Sequence, residues 1–203
     1  MYNVDGTMNQ GGSITHETTM MMSHKGHQEK MFFVPKPETT AKRMCTDYQC
    51  LNKKTIKKND YPLLLISEMI DKIRDAKVFT KLDLQWGFNN VWIKEGDEWK
   101  AAFTCHEGAF EPLVMYFGLT NSLSTLQTMM NALFFDMGAC VMVYMDNILI
   151  YMKTEDGHDK IVLQVLEILW KNDLFVKAEK CKFKVRTVKF LGLIIGPNDV
   201  SIN

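Results

Sequence analysis

Residues 141–151 read VMVYMDNILIY. Five mostly apolar residues lead into the polar pair Asp146-Asn147, and four more apolar residues follow. Two apolar runs of strand length on either side of a polar pair predict a β-hairpin with a two-residue turn. Such a turn would hold an acidic side chain at the tip of a rigid support.

A second strand-like run also carries a lone acid. Residues 78–84 read VFTKLDL and place Asp83 among apolar neighbours, 63 positions before Asp146. Carboxylates suit Mg²⁺, which prefers hard oxygen ligands. We therefore expect Asp83 and Asp146 to converge on one divalent-metal site. Either acid taken alone is more simply explained as a strand-end or turn residue.

Composition is that of an ordinary soluble protein. The chain has 203 residues, 46% hydrophobic and 24% charged, which is enough to bury one sizeable core. No apolar run approaches the roughly 20 residues that span a bilayer, and the polar N-terminus does not resemble a signal peptide. The five scattered cysteines favour reduced thiols over a disulfide framework or zinc site. We expect an intracellular protein without a membrane partner.

Charge is balanced overall but uneven along the chain. The formal net charge is zero, which argues weakly against nucleic-acid binding. Residues 30–58, however, carry eight basic residues against two acidic ones, and residues 171–189 carry seven against two. These two basic zones are compatible with phosphate contacts, although charge alone favours ordinary solvated faces.

The chain divides into an N-terminal segment and one patterned domain. Residues 1–30 lack periodicity and are expected to be disordered, and residues 31–203 are expected to fold. Strands are predicted in pairs at 31–34 with 43–48, and at 90–93 with 100–103, the second pair around a solvated polar turn.

Three helices are predicted from apolar residues that recur at helical spacing. The first follows Pro62 and buries a stripe from Ile66 to Ile73, the second runs from about 120–122 to Met137 with one apolar face, and the third passes through residues 162–169. Short basic strands then continue to residue 195. This order predicts an α+β domain, in which two long helices cover one face of an antiparallel sheet.

A succession of motifs in one order resembles the reverse transcriptase of gypsy-type long-terminal-repeat retrotransposons. DYQCLN at 47–52 resembles D-Y-R-x-L-N, and FTKLDLQWGF at 79–88 resembles F-T-K-L-D-L-x-x-G-Y. FGLTNS at 117–122 resembles F-G-L-x-N-[AS], and EKC at 179–181 and FLG at 190–192 complete the set. Residues 144–147, YMDN, stand where the family carries Tyr-x-Asp-Asp.

The resemblance implies an RNA-directed DNA polymerase with right-hand fingers and palm but no thumb. Its partners would be an RNA template, a DNA primer and dNTPs, joined by two-metal nucleotidyl transfer. Asp83 and Asp146 would hold two Mg²⁺ ions, with Mn²⁺ as the alternative. Asn147 replaces the third catalytic acid and removes a charge, so we expect strongly impaired catalysis.

Further site residues follow from the same resemblance. Those implied at the dNTP are Lys36, Arg43, Phe88 and Phe117. Phe88 would act as a gate that excludes the ribose 2′-hydroxyl, and the alternative is that its ring only packs in the core. Those implied at the template and primer are Gly118, Asn121, Gln127, Tyr144, Met145, Phe190, Leu191 and Gly192. A turn glycine, a helix cap and an exposed helix amide are equally good explanations of Gly118, Asn121 and Gln127.

Departures from the family pattern indicate a truncated or degenerate copy. Gln49 replaces an arginine, Tyr116 and Leu123 replace prolines, and Leu126 replaces a phenylalanine. The thumb, and the protease, RNase H and integrase that share the polyprotein, are expected to be absent. The family acts in a cytoplasmic particle or the nucleus.

Two alternatives remain open. The first is a catalytically silent protein with the same fold that binds RNA or RNA/DNA hybrid through the basic zones. The second is an RNA-directed RNA polymerase or another nucleotide enzyme with a palm, against which Tyr144 and Phe88 both count.

Overall fold

The computed structural model describes residues 29–35, 42–54, 61, 65–197 and 199–202. The chain forms two compact units, each assembled from two separate stretches. Unit 1 comprises residues 1–60 and 88–126, and unit 2 comprises residues 61–87 and 127–203. The disorder predicted for residues 1–30 lies outside the described residues except at 29 and 30, which begin the first strand.

Helices and strands are interspersed along the chain, which confirms the predicted α+β class. The described strands are β1 (Glu29–Pro35), β2 (Lys42–Thr46), β3 (Val78–Asp83), β4 (Phe103–Cys105), β5 (Gly108–Phe110), β6 (Val141–Tyr144), β7 (Asn147–Met152), β8 (Lys182–Val185), β9 (Val188–Phe190), β10 (Leu193–Gly196) and β11 (Asp199–Ile202). The described α-helices are α1 (Gln49–Lys54), α2 (Ile66–Ile73), α3 (Ser122–Leu133) and α4 (His158–Lys171).

Unit 1 contains a four-stranded sheet in the order β2-β1-β4-β5. β1 and β2 are antiparallel, with Phe32 opposite Cys45, so the first predicted strand pair is confirmed. β1 also pairs with β4 in parallel, and β4 pairs with β5 antiparallel. After β2, the buried Tyr48 donates its hydroxyl to the carbonyl of Ala101 at 3.1 Å, which anchors the start of α1.

The strand pair predicted at 90–93 and 100–103 is wrong. Gly87–Asn90 and Glu98–Ala101 are 3-10 turns, and Trp92 forms an isolated bridge with Val114. The polar turn is not fully solvated either, because Asp97 pairs with Lys100 and only 14% of the Asp97 side chain is exposed. Apolar runs of about four residues are too short for periodicity to distinguish a strand from a helical turn.

Unit 2 is built on a four-stranded antiparallel sheet in the order β6-β7-β3-β8. β6 and β7 form the predicted hairpin, and β3 is the other neighbour of β7. A second antiparallel sheet joins β9, β10 and β11. The strand that carries Asp83 therefore lies directly beside the hairpin that carries Asp146.

Both faces of the large sheet are covered, whereas the sequence predicted helices on one face alone. On one face, side chains of the large sheet form a hydrophobic cluster together with side chains of α2 and of the smaller sheet. The buried members of this cluster are Met69, Ile73, Ala76, Phe79, Met142, Leu149, Tyr151, Val188, Phe190 and Ile195. Thr80 follows Phe79 and so points to the opposite face, where it contacts His158 of α4. The central strands are apolar at consecutive rather than alternate positions, which is what a sheet buried on both faces requires.

Thr80 and His158 form a fully buried polar pair. The Thr80 hydroxyl oxygen lies 2.8 Å from His158 Nε2 and accepts the Lys184 backbone N–H at 3.0 Å. Burial lowers the pKa of the His158 imidazole, and Lys184 lowers it further against the opposing effect of Asp159. His158 is therefore neutral in the folded protein near pH 7.

The predicted apolar stripes describe the helices only in part. In α3, Leu126 and Met130 are buried as expected, but Ser124, Thr125 and Gln127 are buried as well. The helix ends at Leu133 and not at Met137, so the buried Phe134 follows it. In α2, Met69 and Ile73 are buried while Ile66 is 54% exposed. All five cysteines are free thiols, as predicted. Within the described ranges, no helix is long and apolar enough to cross a bilayer.

Candidate functional site

The turn between β6 and β7 consists of Met145 and Asp146. Tyr144 pairs with Asn147, so the turn lies one residue earlier than the polar pair predicted from sequence, and Asn147 begins β7. Met145 has φ +55°, a conformation that normally favours glycine at this position of a hairpin turn. The acid sits at the tip of the hairpin as predicted, on a turn with local backbone strain.

Asp83 ends β3 directly opposite Asn147. The next backbone pair is hydrogen-bonded, because the Leu84 N–H donates to the Asp146 carbonyl at 2.8 Å. Hydrogen-bonded and non-bonded pairs alternate between antiparallel strands, so Asp83 and Asn147 form a close pair with Cα atoms about 4.5 Å apart. Their side chains project from the same face of the sheet. Asp83 and Asp146 therefore flank one residue, Asn147, at one end of the sheet.

The Asp83 side chain is 11% exposed, and its carboxylate has few partners. Its Oδ2 lies 3.7 Å from Lys180 Nζ, whose side chain is 56% exposed. Its Oδ1 is buried and has no hydrogen-bond partner among the described residues. A buried carboxylate oxygen without a partner costs free energy, and a hard cation is the partner that would offset this cost. The motif Glu179-Lys180-Cys181 was noted in the sequence, but its contact with Asp83 was not predicted.

Asn147 changes the donor set of this site. Its Nδ2 donates to Asp146 Oδ1 at 2.9 Å, so an amide N–H occupies an oxygen that a metal would otherwise use. Within the part of the chain that the structure describes, no three His, Cys, Asp or Glu side chains converge on a possible metal position. The site thus offers a divalent cation two carboxylates, with a neutral amide in the third place.

Gln127 supports the turn from within the fold. The side chain is 3% exposed. Its Oε1 accepts the Met145 N–H at 2.7 Å, and its Nε2 donates to the Val143 carbonyl at 3.0 Å. It is not the exposed helix amide that the sequence allowed as one explanation. Tyr144, on the same hairpin, packs half-buried against the hydrophobic cluster.

The second candidate region lies in unit 1. Phe88 is 7% exposed and packs edge-on against Phe117, with 4.6 Å between ring centroids. Gly118 adopts φ +98°, which explains why glycine stands there. The Asn52 side chain, the last residue of the DYQCLN motif, donates to the Gly118 carbonyl at 2.6 Å and accepts the Thr120 N–H at 2.8 Å. The sequence did not predict that Asn52 braces this loop.

Three other predicted site residues are only partly described or have a structural role. Asn121 precedes α3, and its carbonyl accepts the Thr125 N–H at 2.9 Å, consistent with a helix cap. Arg43 lies in β2, but its side chain is outside the described residues, as is the whole of Lys36.

Phe190, Leu191 and Gly192 form the end of β9 and the turn into β10. Phe190 is 1% exposed and belongs to the hydrophobic cluster, and Leu191 packs partly against it. Leu191 and Gly192 have φ +51° and +79°, the pattern of a type I′ hairpin turn. Because the Phe190 ring faces the core, any ligand contact here would come from the turn or the backbone.

The C-terminal basic zone is partly neutralised by ion pairs. Lys184 Nζ lies 3.0 Å from Asp159, and Arg186 lies 3.8 Å from Glu155. With Lys180 paired to Asp83, three of the seven basic residues have acidic partners. The Lys184 and Arg186 pairs are exposed and individually weak, so they can exchange for other anions.

Comparison with known proteins identifies a family and its relatives. A family model described as reverse transcriptase (RNA-dependent DNA polymerase) matches residues 34–195. The Tf2-7 and Tf2-8 transposon polyproteins of Schizosaccharomyces pombe are each 42% identical over 163 residues, which is 80% of this chain. The chain spans 12% of the length of these relatives.

Solved structures share the fold. The foamy viral protease-reverse transcriptase in complex with double-stranded DNA matches 91% of this chain and 32% of its own, with TM-score 0.81 and 23% identity. The same viral protein in complex with an RNA/DNA hybrid matches 91% of this chain and 24% of its own, with TM-score 0.77 and 23% identity.

Proposed function

The chain belongs to the reverse transcriptase family, and on that premise we propose that it is the RNA-directed DNA polymerase domain of a gypsy-type retrotransposon polyprotein. Unit 2 corresponds to the palm and unit 1 to the fingers. The observation that carries the proposal is the strand register that sets Asp83 against Asn147 and bonds Leu84 to Asp146. Two acids far apart in sequence thereby meet at the end of one sheet.

Asp83 and Asp146 are the proposed ligands of divalent cations, two Mg²⁺ ions with Mn²⁺ as the alternative. When bound, such ions activate the primer 3′-hydroxyl and stabilise the developing charge on the phosphate and pyrophosphate. Asp83 supplies a buried oxygen that has no hydrogen-bond partner within the described part of the chain, and this oxygen is thus available to a cation. The sheet and the turn bonds hold the two carboxylates in place, so they need little reorganisation for catalysis.

Asn147 makes this an impaired polymerase. It lacks the third negative charge, and its Nδ2 hydrogen competes for Asp146 Oδ1. At about 4 Å and an effective dielectric near 20, one charge facing a divalent ion is worth roughly 8 kcal/mol before screening. A quarter of that value corresponds to roughly a thirtyfold loss of rate.

The remaining residues are assigned by their place in the family motifs. Lys36 and Arg43 would hold the triphosphate, and Phe88, backed by Phe117, would exclude the ribose hydroxyl. Gly118 and Asn121 would approach the template and primer. For Gln127 we propose a structural role in place of a contact with the nucleic acid, because both ends of its amide bond to the hairpin.

The hairpin and the C-terminal turn complete the nucleic-acid surface in this proposal. Tyr144 and Met145 would contact the primer end, as would the Leu191-Gly192 turn and the backbone of Phe190. The foamy viral relative was solved with DNA and with an RNA/DNA hybrid, which supports nucleic acid as the partner class. Protease, RNase H and integrase activities would belong to other parts of the polyprotein. The whole polyprotein would act inside the cell.

The second candidate function is binding of RNA or RNA/DNA hybrid without catalysis. The specific observation that favours it is Asn147 in the metal site. Binding by the basic zones would fall steeply with salt, because each neutralised phosphate releases a counterion.

Primer extension on a poly-RNA template distinguishes the two functions. The polymerase proposal predicts slow, metal-dependent incorporation of dNTPs by the chain and none by Asp83→Asn. Extension by Asp83→Asn at the same rate would refute the assignment of the site. Salt-sensitive hybrid binding, with no extension by either the chain or its Asn147→Asp form, would select the silent binder.

A further inference from the structure

The turn that carries Asp146 is held from both sides. The Leu84 N–H of β3 bonds to the Asp146 carbonyl, and Gln127 of α3 accepts the N–H of Met145. Since Met145 adopts a positive φ, which is strained for a residue other than glycine, the turn depends on such bonds to keep its conformation. A change in the Gln127 side chain would therefore move the Tyr144–Met145 peptide, through which the chain enters the turn that carries Asp146.

Gln127 is itself oriented by two further side chains in unit 2. Its Nε2 donates to Asn131 Oδ1 at 2.9 Å, one helical turn along α3. Asn131 Nδ2 in turn donates to the Tyr61 hydroxyl oxygen at 2.8 Å. Gln127, Asn131 and Tyr61 form a continuous chain of hydrogen bonds, here called the amide relay, that ends at the Met145 N–H.

The amide relay has a defined direction. Both Gln127 amide hydrogens are used, on Asn131 and Val143, and its oxygen accepts from Met145. If the Gln127 amide flipped, its oxygen would face two acceptors and its NH₂ group would face the Met145 donor. If the Asn131 amide flipped, its NH₂ group would face the Gln127 donor. The Met145 N–H and the Val143 carbonyl set the orientation of Gln127, and Gln127 sets that of Asn131. The Tyr61 hydroxyl accepts from the far end of Asn131 and so holds this amide in place against Gln127.

We propose that Asn131 and Tyr61 are positioning residues for Asp146, acting through Gln127 and the Met145 amide. They touch neither the aspartates nor the proposed cation position. Their effect on metal binding rests on the proposed function, whereas their effect on the turn does not. The relay makes the orientation of the Tyr144–Met145 peptide, which enters the turn one residue before Asp146, depend on a tyrosine 85 positions earlier in the sequence than that aspartate.

The test measures hydrogen exchange at the Met145 amide by NMR in the full chain. The variants are Tyr61→Phe and Asn131→Leu, which break the relay, and Asn131→Asp, whose carboxylate can accept from both Gln127 and the Tyr61 hydroxyl. The matched control is Tyr151→Phe, which removes a hydroxyl bonded to the Gly138 carbonyl in the same unit at 3.4 Å. Melting temperature and circular dichroism confirm that each variant is folded.

The relay predicts faster Met145 exchange by about threefold in Tyr61→Phe and about tenfold in Asn131→Leu, on the scale of one lost hydrogen bond. Asn131→Asp should restore slow exchange, and Tyr151→Phe should leave it unchanged. Unchanged exchange in Tyr61→Phe, the mildest variant, would overturn the proposal. So would equal acceleration in Tyr151→Phe, because the effect would then be general loosening.

Mn²⁺ binding, followed by electron paramagnetic resonance, supplies a second readout. We expect Asn131→Leu to weaken Mn²⁺ binding about fivefold and Asn131→Asp to restore it. Faster exchange without weaker binding would overturn the positioning of Asp146. If neither the chain nor its Asn147→Asp form binds Mn²⁺, the proposed metal site fails, and Met145 exchange alone decides whether the relay holds the turn.

Discussion

Restoring the third acid by Asn147→Asp is the change with the largest expected effect on the site. The new carboxylate would lie opposite Asp83 across the strand pair, next to Asp146 in sequence. It would also remove the hydrogen bond from Asn147 Nδ2 to Asp146 Oδ1, which is 2.9 Å long. The substitution therefore adds a negative charge and frees an oxygen of its neighbour at the same time.

The added charge has opposite effects in the metal-free and metal-bound protein. Repulsion from Asp83 and Asp146 is roughly 4 kcal/mol each at about 4 Å and a dielectric near 20, and it acts in both states. Attraction to one divalent ion is roughly 8 kcal/mol and acts only in the bound state. Position 147 is partly buried, and solvent screening reduces both effects. We keep about a quarter of the summed repulsion and about a quarter of the attraction, which is roughly 2 kcal/mol for each.

Asn147→Asp should thus extend a primer about thirtyfold faster and, without metal, melt about 4–8 °C lower. The assays are single-nucleotide incorporation on an RNA template with Mg²⁺ or Mn²⁺, and thermal unfolding with and without metal. Gln164→Glu, the same amide-to-acid change on the exposed side of α4, is the control and should alter neither. Equal incorporation rates for the chain and Asn147→Asp, with both metals, would refute the reasoning.

Three further predictions concern the framework around the site. Thr80→Val leaves His158 Nε2 and the Lys184 N–H without a partner, so urea unfolding should show a loss of about 2–5 kcal/mol; an equal loss in the exposed Thr154→Val would contradict this. Because burial lowers the pKa of His158, unfolding takes up a proton, and stability should fall as the pH drops below about 6.5. His158→Gln should reduce the slope of the unfolding free energy against pH in that range. An unchanged slope would contradict the assignment of the proton uptake to His158. Asn52→Ala should speed exchange of the Thr120 amide severalfold, while Lys53→Ala, on the exposed side of α1, should not.

The core of the site was predictable because its residues obey strong local rules. The run of residues 141–151 is apolar except at one polar pair, and only a hairpin brings both halves together without burying that pair. The predicted turn was one residue too late, because an apolar Met145 is not expected in a turn. In the structure Met145 occupies the first turn position with a positive φ. Asp83 was recognised from its strand and motif, but its place opposite Asn147 depends on strand order, which no local pattern encodes.

The parts that were missed are polar groups inside the fold. Gln127 and Asn131 are spaced as an exposed helix face would be, and only packing reveals that both amides are bonded. Thr80 and His158 lie 78 positions apart, so their pairing leaves no periodic signal. The segment at 90–93 was paired with the wrong partner, because three apolar residues are too few to show a period. Asn90 ends a 3-10 turn, and Trp92 pairs instead with Val114.

The most direct measurement is anomalous diffraction from crystals of the chain grown with Mn²⁺. We expect a Mn²⁺ ion bonded at roughly 2.0–2.2 Å to carboxylate oxygens of both Asp83 and Asp146, with Asn147 at the edge of the site. Carboxyl groups more than about 10 Å apart, or Mn²⁺ bound only elsewhere, would contradict the claim that these two aspartates share a metal, since one ion cannot bridge ligands so far apart.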